Sequence, residues 1–176
     1  ISRTICLLSA VVRYSCVLYY AHKNTGRPLK EGKWFEKFRS NYLDVDNDAL
    51  YPFGYGLSYT TFRFSDITLN RSSIGMDNEL VASVTVTNTG DRAGSEVVQL
   101  YIRDLVGSVT RPVKELKGFE KIYLQPNESR TVRFTIAPEM LKFYNADLKF
   151  VAEPGDFDVM IGPDSRNVKT ARFTLR

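Results

Sequence analysis

Apolar residues recur at every second position in five short segments of this chain, and this period constrains the fold more than any other feature. The segments are 80–86, 98–102, 132–136, 157–161 and 171–175. In the third segment, for example, Val132, Phe134 and Ile136 alternate with Arg133 and Thr135. Because successive side chains of a β-strand point to opposite faces, a period of two predicts strands with one buried face.

Turn-forming residues separate these segments. The turns are Asn-Thr-Gly-Asp at 88–91, Gln-Pro-Asn-Glu at 125–128, Glu-Pro-Gly-Asp at 153–156 and Gly-Pro-Asp at 162–164. Further apolar segments lie at 62–69, 117–124 and 148–152. Together they predict about seven or eight strands, with one helical turn at 138–141. Connections this short favour antiparallel neighbours. Residues 61–176 are therefore predicted to form an all-β, immunoglobulin-like antiparallel β-sandwich.

The residues before the predicted sandwich have no regular period. Their most distinctive part is the run 50–62, which combines aromatic side chains with two glycines and Pro52. Glycine lets a backbone turn where a side chain would clash, and proline fixes one dihedral angle. Aromatic rings in such a run can lie against neighbouring surfaces without forming a strand. The run predicts a buried connector, and we place the boundary of the sandwich near Thr60.

Composition argues against several classes of protein. The 176 residues are 43% hydrophobic and 25% charged, as in a globular domain with an appendage, and are too few for a two-domain catalytic core. The net charge of +4 is spread along the chain without a basic block, so no nucleic-acid partner is expected. The apolar segment 5–12 is interrupted by Arg13 and is too short to cross a bilayer, so no membrane partner is expected.

Metal and cofactor chemistry is not expected. Cys6 and Cys16 have no metal-binding spacing, and His22 is the single histidine of the chain. A second candidate is a row of alternating aspartates, Asp44, Asp46 and Asp48. This row lacks the glycine and the distant glutamate of a calcium-binding loop. We interpret this row as a solvated acidic loop. The sequence therefore predicts no metal site and no cofactor site.

Four motifs occur in an order and spacing that point to one family. They are the aromatic run 50–62, Val-Val-Gln-Leu-Tyr at 97–101, Arg-Pro-Val-Lys-Glu-Leu-Lys-Gly-Phe at 111–119 and Glu-Pro-Gly at 153–155. Each motif is weak alone, but together they resemble glycoside hydrolase family 3 enzymes of the β-glucosidase and β-xylosidase type. The resemblance implies that residues 61–176 are the C-terminal fibronectin type III-like domain. It also implies that residues 19–60 are a remnant of the second catalytic domain and its aromatic linker.

The resemblance does not extend to the first residues of the chain. The family usually has a Gly-Gln-(Ile/Leu)-Pro-like stretch just before a pair of tyrosines, here Tyr19 and Tyr20. This sequence has Val-Arg-Tyr-Ser-Cys-Val-Leu at 12–18 instead. We therefore interpret residues 1–18 as a non-native or disordered segment that makes few specific contacts.

The resemblance also implies what this chain lacks. Family 3 enzymes are similar to retaining glycosidases that release terminal non-reducing β-D-glycosyl residues, with an aspartate nucleophile from a barrel domain and a glutamate acid/base from a second domain. Neither domain is intact here. We therefore predict that this chain contains no catalytic residue and is inactive alone. The pair Ser65-Asp66 resembles a dipeptide at the family's nucleophile, but it falls in the first predicted strand. We interpret it as an exposed strand or edge position.

The expected partner is the catalytic part of the parent enzyme. The side chains predicted to pack against that part are Trp34, Tyr51, Phe53, Tyr55 and Tyr59. The spacing of Trp34, Phe35, Phe38 and Tyr42 is also compatible with sugar stacking, but aromatic side chains in such numbers are more often buried. Because the family is usually exported, the resemblance implies a periplasmic or extracellular location.

Two other functions remain open at this stage. The chain is either a free-standing fibronectin-like module that binds carbohydrate or protein, or the complement of a separately encoded catalytic half. A carbohydrate module should show an exposed aromatic strip on a face of the sandwich. The outward residues predicted in two strands, Thr131, Arg133, Thr135 and Arg172, are not aromatic.

Overall fold

The computed structural model describes residues 20–22, 27, 32, 37–39 and 48–176. Within them lie eleven β-strands and one 3-10 helix, Pro138–Leu141. The strands are β1 (Phe62–Phe64), β2 (Thr68–Leu69), β3 (Ser73–Ile74), β4 (Leu80–Asn88), β5 (Gly94–Asp104), β6 (Glu115–Leu124), β7 (Ser129–Ile136), β8 (Phe143–Tyr144), β9 (Phe150–Val151), β10 (Gly155–Gly162) and β11 (Lys169–Leu175). Residues 1–18, Trp34, Phe35, Tyr42, Asp44 and Asp46 lie outside the described residues, so the predictions made for them stay predictions.

Two sheets form the sandwich. In the first sheet, β7 pairs along one edge of β4, while β1 and β2 pair with different parts of β4 and share its other edge. The second sheet has the order β3-β11-β10-β5-β6, and β8 and β9 form a separate small hairpin. All of these pairs are antiparallel except β3 with β11, which is parallel. The prediction of an all-β sandwich is confirmed.

The inward rows predicted from the period of two form the core. Strand β4 buries the side chains of Leu80, Ala82, Val84 and Val86, and the second sheet supplies alternate residues of β5, β10 and β11. The rings of Phe157 and Phe173 face each other across β10 and β11, with centroids 5.4 Å apart. Full burial of one such side chain contributes roughly 1.5–3 kcal/mol. These rows therefore hold the two sheets together.

The first predicted strand, 62–69, differs from the structure because it is interrupted. Ser65 and Asp66 lie in the break between β1 and β2 and not within a strand, which corrects the sequence prediction. The side chain of Ser65 stabilises this break. Its Oγ accepts a hydrogen bond from the Thr85 amide (2.9 Å), which in an uninterrupted strand pair would go to a backbone carbonyl. Asp66 is exposed, and its carboxylate lies 3.1 Å from the Lys169 ammonium.

Two short elements were not predicted from the sequence. Strands β3 and β8 have two residues each, too few to show a period. Strand β8 pairs with β9. The predicted segment 148–152 is a strand only at Phe150–Val151 because Leu148 adopts a positive φ of 59° in the preceding turn. The helical turn predicted at 138–141 is confirmed. Among the described residues, no helix is both long enough and apolar enough to cross a membrane.

Candidate functional site

The outer face of the second sheet is covered at its centre, and this is the structure's most informative feature. Gln99 and Tyr101 alternate with core residues of β5, so their side chains point away from the core, yet both are buried. Asp158 and Met160 of the neighbouring strand β10 are also buried. An outward row of a half-buried strand should be exposed. The cover is supplied by the segment that precedes the sandwich.

Gln99 joins this segment to the sheet through its side-chain amide. Its Nε2 donates to the carbonyl oxygens of Gly54 (3.2 Å) and Pro163 (2.5 Å), while its Oε1 accepts from the Tyr101 hydroxyl (2.6 Å). Burial raises the pKa of the Tyr101 hydroxyl, and the nearby Tyr20 and Asp164 raise it further. The Tyr101 hydroxyl therefore stays protonated and serves as the donor to Gln99.

Aromatic rings cover Tyr101 from outside. The ring of Tyr20 stacks on that of Phe53, with centroids 4.2 Å apart, and meets the Tyr101 ring edge-on at 5.9 Å. The Tyr20 hydroxyl accepts a hydrogen bond from the Leu116 amide (3.3 Å), and the carbonyl oxygen of the adjacent Ala21 accepts one from the Val113 amide (2.8 Å). Two separate parts of the preceding segment are thus packed together on the sheet.

The turn between β10 and β11 connects these pieces. The Asp164 carboxylate accepts hydrogen bonds from the amides of Arg166 (2.8 Å) and Asn167 (2.7 Å), which fixes the shape of the turn. The Ser165 amide then donates to the Phe53 carbonyl (2.9 Å), and the Ser165 carbonyl accepts from the Lys114 ammonium (2.5 Å). Burial lowers the pKa of Lys114. The Arg166 guanidinium also donates to the Ala49 carbonyl.

We call residues 49–60 the linker. Its far end is fixed by Asn88, whose Oδ1 accepts a hydrogen bond from the Thr60 hydroxyl (2.6 Å). Between its two ends the linker remains partly exposed, with Leu57 84% and Tyr59 94% exposed. The rings of Tyr51 and Tyr55 lie 5.1 Å apart. The linker is therefore attached to the sandwich at both ends and presents apolar side chains outward between them.

The predicted partner residues fall into two groups. Phe53 and Tyr55 have contacts within this chain, through Tyr20 and Tyr51 respectively, whereas Tyr59 projects away from the sandwich. Sequence reasoning missed Gln99 and Tyr101, which hold the linker. The sequence does contain a signal for them, because Gln99 and Tyr101 are the two hydrogen-bonding side chains of an otherwise apolar segment. The period of two, however, assigned both residues to the exposed face.

Gly54 is the point at which the linker approaches the sheet most closely. It adopts a positive φ of 79°, and a Cβ at this position would lie 2.1 Å from Gln99 Oε1. The substitution Gly54→Ala should therefore strain the backbone and break the bond from Gln99, at a cost of about 2 kcal/mol. We expect a lower melting temperature and faster chymotrypsin cleavage at the aromatic residues of the linker.

Gly75→Ala is the matched control for this substitution, because a Cβ there meets its nearest atom at an ordinary 3.7 Å. It should leave both measurements unchanged. If Gly54→Ala were cleaved in the linker no faster than the Gly75→Ala variant, Gln99 would not be what holds the linker.

A second cluster lies at the other end of β5. Residues 103–111 line a cavity of about 480 Å³. Among them, the Arg111 guanidinium lies 3.6 Å from the Asp104 carboxylate, and it also lies 3.0 Å from the carboxylate of Glu115. The guanidinium also lies 4.2 Å above the ring of Phe143. Burial raises the pKa of Asp104, and the Val106 amide and Arg111 oppose this shift. These contacts connect the β5–β6 loop to the β8–β9 hairpin, and they are the kind that stabilise a loop.

Comparison with known proteins identifies the sandwich. Residues 96–165 match the family described as a fibronectin type III-like domain. Over 158 residues the chain is 54% identical to a periplasmic β-glucosidase of Salmonella typhimurium, covering 90% of this chain and 20% of that protein. It is 44% identical to a β-xylosidase of Formosa agariphila, covering 78% of this chain and 19% of that protein.

A solved structure gives the same result. The β-glucosidase of Listeria innocua is 41% identical and superposes with a TM-score of 0.80, over 90% of this chain and 22% of that one. The chain therefore spans about a fifth of the length of the relatives that it matches. The resemblance inferred from the four sequence motifs is confirmed. Over most of its length this chain is therefore similar to the part of β-glucosidases and β-xylosidases that contains a fibronectin type III-like domain.

Proposed function

We propose that this chain is a non-catalytic accessory domain of a β-glucosidase-type glycoside hydrolase, and that it buttresses the catalytic domains of that enzyme. The observation that carries this proposal is the linker, which is fixed to the sandwich by Gln99 and Asn88 but leaves Leu57 and Tyr59 exposed. Apolar side chains held outward on a fixed segment are typical of a surface that contacts another protein part. The relatives are about five times as long as the matched region, which supplies such a part.

The proposed partner surface consists of the aromatic residues predicted from the sequence. Tyr51, Phe53 and Tyr55 are partly exposed on the linker, and Tyr59 is almost fully exposed. Trp34 belongs to the same proposal but lies outside the described residues. The contacts of residues 49–55 with β5 and with the β10–β11 turn favour a unit in which the linker folds together with residues 61–176.

The parent enzyme is proposed to release terminal non-reducing β-D-glycosyl residues with retention of configuration. This reaction needs two carboxyl groups about 5–5.5 Å apart on either side of the scissile bond. We assign neither carboxyl group to this chain. Because the Salmonella relative is named as periplasmic, we also propose a periplasmic or extracellular location.

Turnover of an aryl β-glucoside tests this function directly. We expect the purified 176-residue chain to give no release above a blank without protein, because it is proposed to hold neither carboxyl group. The Listeria β-glucosidase, assayed in the same buffer, provides the positive control. Release of the aryl group by the isolated chain, retained through a second purification step, would refute the accessory role.

The alternative of a free-standing carbohydrate-binding module is favoured by one observation. Two aromatic side chains on the outward row of β6, Phe119 and Tyr123, are exposed, which was not expected from the residues considered in β7 and β11. Retention of the isolated chain on insoluble glucan, abolished by Phe119→Ser, would support that alternative over the accessory role.

A further inference from the structure

Strand β6 carries an apolar row on the same side of the sandwich as the linker. Ile122 and Leu124 point into the core, so the alternate residues Phe119, Lys121 and Tyr123 point outward. Phe119 is 69% exposed and Tyr123 is 58% exposed. Large apolar side chains seldom stand exposed in a row on a strand unless a partner covers them.

The register of the sheet places this row alongside the linker. Phe119 pairs with Gln99, whose side chain holds Gly54. Tyr123 pairs with Ser95, which is next to Gly94, and a Cβ on Gly94 would lie 2.6 Å from the Thr60 side chain. The linker segment 54–60 and the β6 row therefore both reach from Gln99 to the Gly94 end of β5, where Thr60 lies on the inner side with Leu124 and Tyr123 lies on the outer side.

We propose that the β6 row and the exposed linker residues form one docking surface, which binds the catalytic part of the same enzyme. This inference rests on the proposed function and extends it from the linker to the sandwich itself. The surface is defined by four side chains, Leu57, Tyr59, Phe119 and Tyr123. Three of them are aromatic, the class that dominates the buried centres of protein interfaces.

The occupant follows from the position of the surface. Phe119 pairs with the residue that holds Gly54, so a protein part that covers the linker there also lies beside Phe119. The relatives have about four fifths of their length outside the matched region. A glucan chain is a less suitable occupant because the proposed surface includes Leu57, an aliphatic side chain without a flat face, and because Lys121 lies between the two rings of β6.

Modification of tyrosine side chains, by iodination followed by mass spectrometry, tests the docking surface. We expect Tyr59 and Tyr123 to react in the isolated chain and to be protected in the full-length enzyme that carries it. Tyr144 is the internal control, since it is 66% exposed on the β8–β9 hairpin and lies outside the proposed surface. It should react equally in both proteins.

The outcomes separate this inference from the proposed function. If Tyr59 is protected in the full-length enzyme while Tyr123 reacts like Tyr144, the β6 row does not dock, and docking through the linker stands. If Tyr59 and Tyr123 both react in the full-length enzyme, both proposals are wrong. If glucan protects Tyr123 of the isolated chain and the full-length enzyme does not, the row is a carbohydrate site and the inference is overturned.

Substitution gives a second, independent measurement. Phe119→Ser and Tyr123→Ser should leave the melting temperature of the isolated chain unchanged, because both side chains are exposed there. In the full-length enzyme they should lower it, since the same positions would be buried. Tyr144→Ser is the control: its ring contacts that of Phe150 on the β8–β9 hairpin, so any fall in melting temperature should be the same in both proteins. If Phe119→Ser and Tyr123→Ser leave the melting temperature of the full-length enzyme unchanged, the inference is contradicted.

Discussion

Gly162→Ala is expected to lower the free energy of unfolding by about 3 kcal/mol, which corresponds to a fall of about 10 °C in melting temperature for a domain of this size. Gly162 ends β10 and is buried where the chain turns towards β11. A Cβ there would lie 2.0 Å from the Asn167 carbonyl oxygen and 2.9 Å from the Val168 Cα. Both are backbone atoms, so no side-chain rotation can relieve the clash.

The matched control for this prediction lies on the same strand. Gly155 begins β10, and a Cβ there would meet its nearest atom at 3.8 Å, an ordinary contact. Gly155→Ala should therefore change the urea midpoint very little. Equal midpoints for the two variants would show that the β10–β11 turn can open without cost. In that case the contacts from this turn to Phe53 and Lys114 could not be holding the linker.

The fold could be predicted from the sequence wherever one face of a strand is apolar and the other polar. Strand β7 is such a case, because Val132 and Ile136 are buried while Thr131, Arg133 and Thr135 are exposed. The turn residues between such segments then fix the number and the order of the strands. This information was sufficient for the two-sheet architecture, although it did not reveal the break at Ser65 or the parallel pairing of β3.

The linker site could not be predicted in the same way. A period of two shows which residues share a face, but it does not show what covers that face. In β5 the residues opposite the core row are Gln99 and Tyr101, whose polar atoms suggested contact with water. They are buried because a segment from outside the sandwich lies over them, with hydrogen-bonding partners at Gly54 and Pro163. Such long-range contacts leave no periodic signal.

Strand β6 was ambiguous for a different reason. Gly118 and Glu120 stand on the inner side together with Ile122 and Leu124, whereas Phe119 and Tyr123 stand on the outer side. Both rows therefore contain large apolar residues, and the pattern does not choose between them. A Cβ on Gly118 would meet the Phe134 ring at 3.6 Å, an ordinary contact, so this ring packs over the glycine. A strand with two apolar rows indicates a second surface to be covered.

Asn88→Asp is expected to cost about 3 kcal/mol or more, although the two side chains have nearly the same shape. Asn88 is fully buried, and its Nδ2 donates to the carbonyl oxygens of Arg92 (2.7 Å) and Leu124 (3.1 Å). Its Oδ1 accepts from the Thr60 hydroxyl and from the Gly90 amide. The substitution replaces the donor by a carboxylate oxygen that faces two carbonyl oxygens, so a buried negative charge is placed against two acceptors.

The pH dependence of this loss identifies its cause. Burial raises the pKa of the new carboxyl group in the folded state above its unfolded value of about 3.9. The destabilisation is therefore largest above the folded pKa and becomes smaller as the pH falls towards the unfolded value, because the protonated group can again donate one of the two hydrogen bonds. Urea unfolding of the variant and of the parent chain at about pH 7 and about pH 4 measures the difference. For Asn78→Asp, at an exposed turn, the difference in stability from the parent chain should be the same at both pH values. A loss for Asn88→Asp that is equal at both pH values would mean that the loss does not come from the charge of the new carboxyl group.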